Sequence, residues 1–185
     1  MKLNTRELSL VALFSALIAV GAFIKIPFLI VPITLQTLFV VSAALILGKR
    51  LGPLSVIVYI IMGLIGLPVF AKGGGPMYVL QPTFGYLLGF IFTAMFIGNF
   101  KDKMNKYLLV TIGILITYAF GISYFVAIQH FVNGVSFEVG FLLKNLFLVF
   151  LPGDITSYIV AVIVSERISK VYDLKISLLW LSNNL

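Results

Sequence analysis

Residues 8–24 contain no charged side chain, and a run of that length is about what crosses the hydrocarbon core of a bilayer as a helix. Further apolar runs follow at about 35–47, 54–67, 84–97, 107–131 and 154–168, separated by short breaks rich in Gly, Pro or Lys. Lipid offers no hydrogen bonds, so spanning backbone must satisfy itself, and helices do so within one segment. Composition agrees: 61% of residues are hydrophobic and 10% charged, with mean hydropathy +1.16, whereas an average soluble domain is about a quarter charged. The expected fold is an all-α integral membrane protein of six transmembrane helices, forming one domain over 1–185. Residues 135–151 start polar and hold Glu138, Lys144 and Asn145, so this stretch predicts an interfacial helix before the sixth span. The first run lacks a small-residue cleavage site followed by a polar sequence and reads as a retained helix.

Six spans place both ends of the chain on one side. On that side fall Lys2, Arg6, Lys49, Arg50, Lys101, Lys103, Lys106, Arg167, Lys170 and Lys175; the other side has Lys25, Lys72 and Lys144. Basic loops stay in the cytoplasm, so the expected topology has cytoplasmic termini in the cell membrane and puts the 63–90 connection, His130 and Asp154 outside. The net charge of +7 is then a consequence of topology, and a nucleic-acid partner is not needed to explain it.

The outer breaks carry the polar side chains. The connection between the third and fourth runs reads GLIGLPVFAKGGGPMYVLQPTFGYLLGF. Its small and aromatic residues, with Lys72, Gln81 and Thr83, suit either a lid over a flat, partly polar ligand or a mobile connector. Thr34 and Gln36 stand at the mouth of the second span. Thr34 fits a helix cap equally well, but Gln36 lies one turn inside an apolar helix. Asp154 follows Pro152-Gly153 at the mouth of the sixth span. An ionisable group at membrane depth is by default a functional-site hypothesis, and a helix cap is the alternative. Ala12, Ser15, Ala16, Ala19 and Ala22 draw a smooth stripe along the first helix, for packing either within the chain or against a partner helix.

Several chemistries are excluded. No phosphate-binding GxxxxGK[ST] loop is present, so the chain cannot itself hydrolyse ATP. HExxH and GxSxG are absent, as are cysteines, and His130 stands alone. No metal site or cofactor is expected, and no enzyme activity.

Four ordered stretches, Val31-Pro32-Ile33-Thr34-Leu35-Gln36-Thr37, Gly63-Leu64-Ile65-Gly66-Leu67-Pro68-Val69-Phe70, Pro82-Thr83-Phe84-Gly85-Tyr86-Leu87-Leu88-Gly89-Phe90 and Leu151-Pro152-Gly153-Asp154, resemble the BioY family. These are the biotin-binding S components of energy-coupling factor (ECF) transporters, and the similarity covers nearly the whole chain. The resemblance implies a membrane subunit that captures biotin outside and relies on a transmembrane coupling subunit and two ATPase subunits. It implies a pocket beneath the outer loops, with Thr34, Gln36, Phe70, Gln81, Tyr86 and Asp154 toward the ligand and the Ala12-x-x-x-Ala16 face toward the coupling subunit. Two positions depart from the pattern: the family lysine nearly one turn after the aspartate is here Ser157, and Leu87 replaces a basic residue that some members carry. Lys144 and Lys72 are then the expected partners for a ligand carboxylate. Lipoate or a biotin precursor is the alternative ligand, and an assembly subunit without a ligand is the alternative of another class.

Overall fold

The computed structural model describes residues 3–26 and 33–183, with side chains of the last helix as far as Val171. Lys2, Pro27, Val31 and Pro32 lie outside the described residues, as does the side chain of Lys175. Helix α1, Thr5–Phe23, opens with a reciprocal cap: the Glu7 amide donates to Asn4 Oδ1 at 2.8 Å, and the Asn4 amide to the Glu7 carboxylate at 2.9 Å. Two short strands, β1 (Lys25–Ile26) and β2 (Ile33–Thr34), pair antiparallel with Lys25 opposite Thr34. These strands are an addition to the all-helical expectation, and they close the loop after the first helix into a hairpin.

Helix α2, Gln36–Leu64, is formally continuous but breaks at Gly48, whose φ of 77° and ψ of −165° suit glycine alone. Gln36 Nε2 donates to Tyr59 Oη at 2.7 Å; in one straight helix these residues would stand about 34 Å apart at 1.5 Å per residue. The two halves therefore fold back on each other. The reversal is made at Gly48 alone, and the rest of the expected 48–53 turn is helical. A lid follows, with a 3₁₀ turn at Pro76–Leu80, and then α3 (Phe84–Phe100) and α4 (Lys106–Phe131). Helix α5, Val139–Leu143, runs into a π-helical turn at Lys144–Leu148, and α6 spans Leu151–Asn183, well past the expected end near 168.

Packing centres on α2, which meets α1, α3 and α6, while α3 also packs on α4. Val40, Val41, Ala44, Val56, Tyr59, Ala94, Ile97, Leu109 and Val162 make the buried centre. Leu13, Val20, Ile61, Leu115, Ile159 and Ile163 point outward, as a chain solvated by lipid requires. Four helical stretches, Thr5–Phe23, Gln36–Leu64, Lys106–Phe131 and Val139–Val171, are long and apolar enough to cross a membrane, and Phe84–Phe100 is shorter but apolar.

The small-residue stripe of α1 is split between a buried and an exposed half. Ser15, Ala19 and Ala22 are buried, with Ser15 Oγ 2.8 Å from the Ser55 carbonyl, whereas Ala12 and Ala16 are exposed.

Candidate functional site

At one end of the bundle the hairpin, the lid and four helices enclose a cavity of about 70 Å³. Ile33, Thr34, Gln36 and Thr37 form one wall, and Ala71, Tyr78 and Thr83 come from the lid. Tyr86, Leu87 and Phe90 of α3, Thr117 and Tyr118 of α4, and Phe150 with Asp154 complete it. Tyr86 reaches α4 because residue 121 is glycine: a Cβ there would lie 2.5 Å from the Tyr86 ring.

Asp154 sits inside the first turn of α6, which begins three residues earlier. Its carboxylate does not cap the helix. Oδ1 accepts from Thr37 Oγ1 at 2.8 Å and Oδ2 from Tyr118 Oη at 2.5 Å. A carboxylate offers about four lone-pair sites, so these two hydroxyls leave acceptor capacity beside the cavity. Thr34 does serve the start of α2, accepting weakly from the Gln36 amide at 3.4 Å, and its own hydroxyl lies 3.2 Å from Gln36 Oε1.

The lid is held by aromatic packing and by hydrogen bonds to its backbone. Phe70 lies between Tyr59 (5.4 Å, edge-on) and Tyr78 (4.4 Å, tilted), over the space left by Gly63. Tyr59 Oη donates to the Val69 carbonyl at 3.2 Å, Tyr124 Oη to that of Val79 at 2.5 Å, and the Gly75 amide to that of Gly63 at 2.7 Å. Across the hairpin, Lys25 Nζ donates to the Ala71 carbonyl. Burial holds the Tyr78 phenol above its ordinary range. Thr83 Oγ1 is buried without a hydrogen bond of good geometry, although the Tyr78 phenol stands close enough to feel it.

Of the residues expected at a site, Thr34, Gln36, Tyr86 and Asp154 line the cavity. Phe70 is 1% exposed and packs in the core beneath the lid. Ser157 is buried outside the cavity wall, while Gln81 and Lys144 are exposed and also stand outside it. Thr37, Tyr78, Tyr118 and Lys25 escaped the sequence reading. Thr37 lies within a quoted motif, one residue beyond Gln36. Nothing in the apolar run 107–131 distinguishes Tyr118 from Tyr107 or Tyr124.

A multi-pass helical membrane protein with a mostly apolar cavity under loops at one end, carrying a carboxylate and several hydroxyls in its wall, has the form of a small-molecule site. The chain belongs to the BioY family, whose family model matches residues 1–174. It is 44% identical over 181 residues to a probable biotin transporter BioY of Lysinibacillus sphaericus, with 91% of this chain and 89% of that protein aligned. Identity to the biotin transporter BioY of Thermotoga maritima is 38% over 172 residues, covering 89% and 96% of the two chains. Among solved structures, the S-component for biotin from an ECF-type ABC transporter superposes with a TM-score of 0.70 at 28% identity, over 91% of this chain and 95% of that one.

Proposed function

We propose that this chain is the substrate-binding membrane subunit of an ECF-type importer and captures biotin from outside. The observation that carries the reading is Asp154, a carboxylate in the cavity wall whose two internal donors leave it able to accept the ureido N–H groups of biotin. Thr34, Gln36 and Tyr86 complete the polar wall, with Phe70 supporting the lid; Gln81, Ser157 and Lys144 stay outside.

Counting the two halves of α2 separately gives six spans, with the α5 segment as the interfacial piece and 1–185 as one domain. The far end of the bundle supports cytoplasmic termini: Glu7 pairs with Arg50 at 3.9 Å, Lys106 with Glu166 at 3.4 Å, and Lys101 lies beside Gly48. Energy comes from a coupling subunit and two ATPase subunits, with Ala12 and Ala16 as the docking face. Ala16→Trp is expected to abolish uptake in cells while purified protein still binds ligand; loss of both would mean that the substitution acts on the fold or the site and not on docking.

Calorimetric titration of the purified protein with biotin and with lipoate tests the reading. Lipoate lacks the ureido donors, and charge-assisted hydrogen bonds contribute about 1.5–3 kcal/mol each, so lipoate should bind at least about a hundredfold more weakly. Preference for lipoate, or for a biotin precursor, would reassign the ligand, and no binding of any of them would favour an assembly role.

A further inference from the structure

We infer that Lys25 is the specificity cation of this site, receiving the carboxylate at the tail of the ligand at the cavity mouth; the inference rests on the biotin reading above. Among the described residues lining the cavity none is a cation, and Asp154 is the one carboxylate there. An anionic ligand tail must therefore leave the acidic end and find its countercharge at the rim. Ser157, where a family lysine was expected, supplies no charge and lies outside the wall.

Two independent features put Lys25 at that rim. Register across the hairpin sets Lys25 directly opposite Thr34, and directly opposed residues of an antiparallel pair project to the same face. Thr34 lines the cavity. Separately, Lys25 Nζ donates to the carbonyl of Ala71, itself a wall residue in the lid. An ammonium has three donors. Holding Ala71 uses one, and two remain for a carboxylate, so a bound acid would join hairpin, ligand and lid through one charged group. Lys25, like Lys144 and Lys72, stands outside the cavity wall itself; it is set apart by its bond to the Ala71 carbonyl and its place opposite Thr34, both of which are wall residues.

The test compares biotin with biotinamide, which keeps the ureido ring and chain but lacks the negative charge. Wild-type protein is expected to bind biotin about tenfold more tightly than biotinamide, and Lys25→Met to lose that margin by weakening biotin alone. Lys25→Arg, which keeps the charge, should preserve the preference. Equal weakening of both ligands by Lys25→Met would reduce Lys25 to a tether of the lid and overturn the inference. Undiminished preference in Lys25→Met would overturn it as well. Failure of the wild type to bind biotin would instead bring down the functional reading, and this inference with it.

Discussion

Among the polar clusters between the described helices, those around Thr93 and Asp154 differ in whether their hydrogen bonding closes on itself. Thr93 Oγ1 lies 2.9 Å from the Gly113 carbonyl and 2.8 Å from Thr117 Oγ1. Thr93 is fully buried. This is a neutral staple between α3 and α4, in which the Thr93 hydroxyl finds its partners inside the protein. The cluster around Asp154 also has internal donors, from Thr37 and Tyr118, but its acceptor is a carboxylate with more lone pairs than donors; both clusters reach the cavity, the staple through Thr117, so it is this surplus that separates them. The contrast teaches where to look for function in a chain with so few polar groups. A closed cluster serves the fold alone, whereas one whose demand exceeds its internal supply has room to accept from a ligand.

Substitutions can break or sharpen that contrast. The largest effect is expected at Asp154. Asp154→Asn keeps the shape but loses charge-assisted acceptance of two N–H groups, about 1.5–3 kcal/mol each. Biotin affinity should fall about a hundredfold or more, with a melting temperature close to wild type, since the carboxylate does not cap α6. Calorimetry beside thermal denaturation in detergent reads both, and an unchanged affinity would put Asp154 in the same closed class as Thr93.

Tyr118→Phe sharpens the comparison from within the open cluster. It removes one of the two donors that orient Asp154, leaving Thr37, so affinity should drop about five- to tenfold, less than for loss of the charge. If it matched Asp154→Asn, the tyrosine itself would be the ligand's main contact.

Thr93→Val is the control with the smallest effect. Interhelical hydrogen bonds of this kind average about 0.6 kcal/mol in membranes, so the melting temperature should fall slightly and biotin affinity should not move. A clear loss of affinity would mean that the staple and the site are not separable.

Most of the helical plan was legible in the sequence because it rests on local rules. Apolar runs of spanning length, broken by Gly, Pro and Lys, predict helices with boundaries near those of α1, α3 and α4. Gly48 marked the reversal inside α2 for a reason visible in one residue, its freedom to take positive φ. The strand pair and the full length of α6 were not legible. The strands have two residues each and depend on pairing with each other. Residues past 168 lie beyond the last apolar run and carry lysines, so the run could not show that the helix continues to Asn183.

The site divides the same way. Asp154, Gln36 and Thr34 stood out because polar groups beside apolar spans are costly unless they are used, whereas Tyr86 came only from the resemblance to the BioY family. The split of the α1 stripe, the retreat of Phe70 into the core and the partnership of Asp154 with Thr37 and Tyr118 are separated in sequence by up to 117 positions, and no local pattern encodes them. By itself the sequence determined that this chain lives in lipid as a bundle of helices with its polar chemistry at the loops. Only the tertiary structure decided which hydroxyls hold the carboxylate and which lysine reaches the lid, because those choices depend on which helix faces meet, and apolar faces of similar composition leave that to packing.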